Sequence, residues 1–342
     1  MTNTNSPTVQ ILQAVGGGVS GAVTRFITQP FDVLKIRFQL QVEPLKSKQV
    51  KASKYVGMLQ AFNKIYREEG VRGIWKGHLA GQMMSVTYAV IQFWSYEQLR
   101  HAAHQTPFFS EHMNLSYFLC GGIAGCMGTI AAQPFDVVRT RVVAADPDSG
   151  TSKLRPVSGA VKVFRNEGFR GISSGLMLTL LQIYPLVGAN FLFYKIFNQM
   201  IVRMGEYITN VPNPKHTIPG PLLFVSGGLS GVLAKMIIYP ADVVKKRSML
   251  HHFEGDRKSF GMNPQCRSVR QCIVNTLKHE GFAGFYKGML PTLYKSGVMS
   301  ACYFTIYDYY NHYVTHSYQR YERSLEEEQK KHSRKPKKTS NW

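Results

Sequence analysis

The chain has 342 residues, with 41 Lys and Arg against 20 Asp and Glu and a formal net charge of +21 at pH 7. Hydrophobic residues make up 44% of it, yet mean hydropathy is only -0.15, and no segment is an uninterrupted apolar run of about twenty residues. No Ser or Cys nucleophile stands with a placed base and no metal-ligand cluster is evident, so an enzyme is not indicated; no base-reading motif accompanies the charge, which argues against nucleic acid.

In chain order the hydrophobic pattern predicts long helices over 9–39, 76–103, 113–143, 176–203, 219–250 and 289–316. Polar residues such as Gln82, Gln92, Gln182 and Asn190 recur at helical spacing in them, giving each helix one lipid face and one wet face. Short amphipathic helices are predicted between them, at Val56–Glu68, Val157–Asn166 and Ser268–His279. The bases border these apolar segments, which suits anionic lipid headgroups and an anionic solute. The first 24 residues carry no Lys or Arg, so neither a signal peptide nor an Arg-rich presequence is expected and targeting should be internal. From about Tyr318 the chain is charged and poor in apolar groups, and disorder is expected there. Cys120, Cys126, Cys266, Cys272 and Cys302 have neither metal-ligand spacing nor a disulfide framework.

A long period organises these elements. PFDVLKIR (Pro30 to Arg37), PFDVVRTR (Pro134 to Arg141) and PADVVKKR (Pro240 to Arg247) share a proline, an acid two residues on, and bases at the sixth and eighth places. Pairs of glycines precede each proline in register: Gly17 and Gly21, Gly121 and Gly125, Gly227 and Gly231. Small residues four apart let helices approach closely in lipid. EGVRGIWKG (Glu69 to Gly77), EGFRGISSG (Glu167 to Gly175) and EGFAGFYKG (Glu280 to Gly288) follow downstream. The units are 9–104, 112–204 and 218–316, followed by the tail 317–342.

Pro30, Pro134 and Pro240 fall inside helices, where each removes a ladder hydrogen bond and kinks the axis. Asp32, Asp136 and Asp242 stand at one depth with Lys35, Arg139 and Lys245. Charges in a membrane span are costly unless paired or wet. Three copies can pair between units, Asp32 with Arg139, Asp136 with Lys245 and Asp242 with Lys35, and close one end of a central cavity.

Together the proline motifs, the Glu-Gly motifs and the tandem repeat resemble the mitochondrial carrier family over about residues 9 to 316. The resemblance implies an all-α membrane protein: six tilted transmembrane helices in a threefold pseudosymmetric barrel, with three short matrix helices. It also implies a place in the mitochondrial inner membrane, and matrix and cytoplasmic salt-bridge networks that open in turn; one chain contains all six helices needed to close a cavity, so function as a monomer is expected. The family's cytoplasmic motif survives as Tyr96, Glu97 and Arg100; the later units have Lys195 with Asn198, and Asp308 with Asn311, so this gate should be the weaker. Gln39 matches the family's bracing glutamine, whereas Val143 and Met249 do not. Cardiolipin is expected at the helix starts around Lys76 and Gly77 and around Lys287 and Gly288, less so at Gly175, where Ser174 replaces the base.

Cargo that lacks threefold symmetry should be read by positions that break the repeat. Five residues before the prolines stand Arg25, Thr129 and Lys235, each seven residues before its gate acid and about 20° from alignment with it, hence facing the cavity. In the family, the positions of Met84, Gln182 and Lys295 line the substrate site. Arg25, Lys235 and Lys295 are three cations with no repeat-encoded partner, which suits phosphates. Gln82, Tyr88, Gln92, Gln182, Asn190 and Tyr303 are positioned to hydrogen-bond or stack on a ring. The residues alone indicate a phosphorylated organic anion. A glycine that the family associates with adenine is replaced by Gln182 and Ile183, which weighs against, without excluding, nucleotides or coenzyme A.

Overall fold

The computed structural model describes residues 7–42, 54–106, 113–209, 220–250, 253, 266 and 268–333. Nine α-helices and no strand occur among them: α1 (Pro7–Leu40), α2 (Met58–Ile74), α3 (His78–His104), α4 (Met113–Ala144), α5 (Pro156–Ile172), α6 (Leu176–Thr209), α7 (Gly220–Ser248), α8 (Val269–Glu280) and α9 (Met289–Ser333). Three-residue periodicity tightens two further turns, at Gly150–Lys153 and Phe282–Tyr286. Of the charged stretch 252–261 only Phe253 is among the described residues.

The chain forms two compact units, one from the described parts of Met1–Thr28 and Lys295–Trp342, the other from Gln29–Tyr294. In the larger unit α3 packs on α4 and α6 on α7, the pairs that join consecutive repeats. Helix starts follow their local sequence. Pro156 occupies the first turn of α5, where no N–H is needed, and the Ser268 hydroxyl caps α8 by accepting from the Gln271 amide at 3.2 Å. The prolines Pro30, Pro134 and Pro240 lie inside α1, α4 and α7 as expected, and α6 carries a further one, Pro185.

Among the described residues three stretches are long and apolar enough to cross a membrane: Leu115–Ala144, Leu176–Tyr207 and Val225–Ser248. None of the most apolar window of α6 is buried, and Met177, Leu181 and Phe191 stand open. Such a surface has no place in water and fits hydrocarbon. The buried apolar core sits instead at the end bearing the short helices. There Val33, Ile36 and Leu40 of α1 meet Tyr55, Ala61 and Ile65 and the end of α4 at Ala144 with Ala145 just beyond it.

Three expectations change. The last helix does not end near 316 but continues to Ser333, so the tail is helical that far; acids standing four residues before bases, as in Glu326 and Lys330, favour this. The repeat glycines are not the tight contacts: a Cβ on Gly21, Gly121 or Gly231 would meet nothing within 4 Å, whereas one on Gly128 would come 2.9 Å from the Tyr88 carbonyl. Cys266 and Cys272 form a disulfide, because the chain turns at Ser268 into α8 and brings residue 266 over the helix's first turn, with Cα atoms 4.6 Å apart.

Candidate functional site

All three predicted inter-repeat pairs form. Arg139 Nη2 lies 2.6 Å from Asp32 Oδ2, Lys245 Nζ 3.0 Å from Asp136 Oδ2, and Lys35 Nζ 3.6 Å from Asp242 Oδ2. The order is cyclic, unit one to two, two to three and three to one, so the ring ties α1, α4 and α7 together. Its carboxylates are nearly excluded from solvent, and there a pair of ions is held only if its remaining hydrogen-bonding groups are met. Gln29 helps at one corner, where its Oε1 accepts from Arg139 at 3.2 Å.

Beneath the ring lies a second one. The eighth-place bases of the proline motifs, Arg37, Arg141 and Arg247, are buried, and each binds the glutamate of its own unit's Glu-Gly motif. Arg37 meets Glu69 at 2.5 Å, while Arg141 and Arg247 fork onto Glu167 and Glu280, with Nη2 to Oε2 at 2.8 Å in both. Such forks suit guanidinium far better than ammonium. Arg141 and Arg247 also reach the next unit, donating from Nε to the Met249 and Gln39 carbonyls at 3.1 and 3.0 Å. Burial pushes the Glu69 carboxyl up, but hydrogen bonds and charge from Arg37, then Lys76, outweigh it and hold it below the usual carboxylate range.

The glycine ending each Glu-Gly motif has positive φ, 71° at Gly77, 75° at Gly175 and 83° at Gly288, which L side chains rarely adopt. Space demands glycine as well: a Cβ there would lie 3.2, 3.1 and 2.9 Å from the carbonyls of Arg139, Lys245 and Lys35, the very bases of the ring. The residue before each proline fixes this junction. Gln29 and Gln133 donate from Nε2 to the Lys76 and Ser174 carbonyls at 2.8 and 2.6 Å, and Tyr239 donates its hydroxyl to the Lys287 carbonyl at 3.1 Å.

Side chains then cap the neighbouring helix. Lys76 reaches the Ala145 carbonyl at 3.2 Å, Ser174 the Ser248 carbonyl at 2.6 Å, and Lys287 the Gln41 and Val42 carbonyls, both at 3.0 Å. The side chains of Lys76 and Lys287, at the helix starts where lipid is expected, turn inward to carbonyls and to Glu69 and Glu280. Where serine replaces lysine, a cavity of about 760 Å³ opens, lined among others by Glu167, Ser174, Gly175, Ser248 and Cys266.

Lys235 departs from expectation too. It is not an unmatched cation: its Nζ lies 2.7 Å from Asp242 Oδ2, the oxygen that Lys35 also approaches. Seven residues along one helix bring the two onto one face, and the long lysine stem covers the rest. Arg25 and Lys295 belong to the smaller unit and Lys235 to the larger one. Gln82, Met84, Tyr88, Gln92, Gln182 and Ile183 are half-buried and Asn190 is exposed. Tyr88 and Gln92 lie against Gly128. Gln182 Nε2 is buried without a hydrogen-bond partner among the described residues. Gln39 is buried beside Gly288.

At the other end of the helices Glu97 pairs within α3, with Arg100 at 2.7 Å. Tyr96 is half-buried, Lys195 and Asp308 are exposed, and neither of the last two joins an ion pair among the described residues. Asn198 accepts from the Ser226 hydroxyl at 2.7 Å. Among the described residues, ion pairs therefore join the units at one end of the helices and not at the other. The second ring escaped the sequence reading, although its signal was present: a base at the eighth place and a glutamate in the Glu-Gly motif recur in all three units.

Long helices with apolar outer faces, joined between repeats by ion pairs, are the architecture of a membrane protein. The family model for mitochondrial carrier protein matches it three times, over residues 8–106, 110–205 and 218–318, and the chain belongs to that family. It is 37% identical over 301 residues, 87% of this chain and 90% of the relative, to the mitochondrial thiamine pyrophosphate carrier of Homo sapiens. It is 32% identical to the mitochondrial thiamine diphosphate carrier 2 of Zea mays, over 89% of this chain and 94% of that one. Identity to mitochondrial thiamine pyrophosphate carrier 1 of Aspergillus niger is 29%, over 84% and 87%. The chain is a mitochondrial carrier and not an enzyme.

Proposed function

We propose that this carrier moves thiamine pyrophosphate across the mitochondrial inner membrane into the matrix by alternating access, as a monomer with six spanning helices in a threefold barrel. The cargo rests above all on one observation: relatives from animals, plants and fungi that match over most of their length carry this cargo in their names. The chemistry agrees. Arg25, Lys235 and Lys295 supply cations for a diphosphate, and Gln182, with its unpartnered amide nitrogen, supplies a donor for a ring or hydroxyl. The ring of Asp32, Asp136 and Asp242 is the matrix gate, braced by Gln39, and Glu97, Arg100, Lys195 and Asp308 belong to the cytoplasmic one. Cardiolipin contacts the backbone at Gly77 and Gly288.

The pairing of Lys235 with Asp242 supplies the link between cargo and gate. A phosphate that takes Lys235 leaves Asp242 held by Lys35 alone. Cargo accelerates transport only if it binds best where the gate is part-open, and a shared carboxylate produces that preference. Exchange against nucleotides supplies the return step.

The carrier reconstituted in liposomes should take up labelled thiamine pyrophosphate in preference to ADP and coenzyme A. Uptake of only the latter two would overturn the cargo and favour the nucleotide or coenzyme A reading. Arg25→Ala and Lys295→Ala should each lower uptake by at least about tenfold, the effect of losing one charge-assisted contact, with unchanged membrane insertion. Unchanged uptake in both would refute the cargo site.

A further inference from the structure

Two of the three gate acids hold a second lysine, and one of these lysines has no counterpart in the other repeats. Asp136 takes Lys245 on Oδ2 at 3.0 Å and Lys246 on Oδ1 at 2.6 Å. The Lys246 ammonium also donates to Thr140 Oγ1 at 3.0 Å, and its side chain is 13% exposed. The positions matching Lys246 are Ile36 and Thr140, so threefold closure does not require a base there. With Lys235 on Asp242, the gate carries five bases, Lys35, Arg139, Lys235, Lys245 and Lys246, against three acids.

Surplus buried charge is costly unless something compensates it. Its distribution along α7 is informative. Lys235 precedes Asp242 by seven residues and Lys246 follows it by four, which places them on opposite sides of the ring, about 16 Å apart along the helix. When α4 and α7 separate, Asp136 leaves with α4. Lys245 and Lys246 stay on α7, where Asp242 is already held by Lys235. Two adjacent ammonium groups are then uncovered on the far side of the gate, as an anion's path opens past them.

We propose that Lys246 is a phosphate-binding residue on the short-helix face of the gate: the closed gate masks it with Asp136, and the opened gate presents it to the diphosphate of the cargo. The proposal rests on the reading of the cargo as a phosphorylated anion. It makes α7 a track with a cation before the gate and a cation after it, so a phosphate crossing the ring leaves one ammonium for another. It also explains the absence of a base in the other units, since a single diphosphate needs one receiving helix.

The test measures half-saturation by thiamine pyrophosphate separately at the two faces of reconstituted vesicles, for wild type, Lys246→Thr and Lys246→Arg. Lys246→Thr should raise half-saturation at the short-helix face about tenfold and leave the opposite face within about twofold; Lys246→Arg should restore it. If Lys246 only strengthens the closed gate, its loss favours the state open at the short-helix face. Half-saturation there would fall or hold while that at the opposite face rose, and either result overturns the proposal. Wild type provides a further arm that no folding defect can obscure: inorganic pyrophosphate at the short-helix face should compete with cargo, and failure to compete also overturns it. Should wild type not carry thiamine pyrophosphate, the cargo reading fails and the Lys246 comparison is made with ADP.

Discussion

At one end of the long helices every unit carries an acid followed three residues later by a base, at the other end only the first unit does, as Glu97 and Arg100, and the two ends join their charges differently. At the short-helix end Asp32 reaches Arg139 of the next unit, not Lys35 of its own helix, and all three acids behave alike. At the opposite end Glu97 takes Arg100 of its own helix, half-exposed to solvent. A pair within a helix holds no helices together, and a surface pair contributes little. The difference teaches that an acid-base pair joins units only where every unit supplies one. At the short-helix end the pairs also have a second ring below them and glycines that let Arg139, Lys245 and Lys35 approach the neighbouring helix start.

The largest test of this contrast removes the support rather than the gate. Arg247 is buried and holds Glu280, Thr276 and the Gln39 and Gln41 carbonyls. Arg247→Ala strands the Glu280 carboxylate and should cost about 3–5 kcal/mol, seen as a large drop in the thermal unfolding midpoint in detergent. Lys287, which also binds Glu280, softens the loss but cannot fork onto both oxygens. A midpoint within a degree of wild type would mean the lower ring is not what holds the helix ends.

A smaller effect, of opposite sign, comes from repairing the asymmetric unit. Units one and three place Lys76 and Lys287 between a glutamate and the end of a neighbouring helix, whereas unit two has Ser174 and a cavity of about 760 Å³ beside Glu167. Ser174→Lys gives Glu167 a second cation and gives the end of α7 a longer cap. It should stabilise by about 1 kcal/mol, raising the midpoint by a few degrees. The Gln133 bond is untouched, because it goes to backbone. Destabilisation would show that the cavity is required as it stands.

Much of this frame was legible because the sequence states it three times. Helix positions followed from periodicity, and the ring partners followed from acids and bases repeating in register. What does not repeat was hidden. Lys235 and Asp242 meet only because two lysine stems turn toward one carboxylate, and spacing alone cannot say which way a flexible side chain turns. Lys246 sits where Ile36 and Thr140 stand and so left no pattern. The inward turn of Lys76 and Lys287 was hidden because it depends on carbonyls at Ala145, Gln41 and Val42, from distant parts of the chain. The extent of α9 was missed because composition was weighed without the four-residue spacing of its acids and bases.

The smallest expected effect is the sharpest on the contrast between the ends. Glu97→Ala removes the one acid of the cytoplasmic motif that has a partner in its own helix, and the unfolding midpoint should not change measurably. Transport is a different matter. Under the proposed alternating access, Glu97 in the opposite state pairs with a cation on another helix, and Lys195 on α6 is the base available in the second unit. Loss of Glu97 should therefore leave stability intact, slow exchange modestly and bias the carrier toward the state closed at the short-helix end. Paired measurement of midpoint and exchange rate on one preparation decides it: a fall in both would make Glu97 part of the scaffold, and the two ends would then differ in degree rather than in kind.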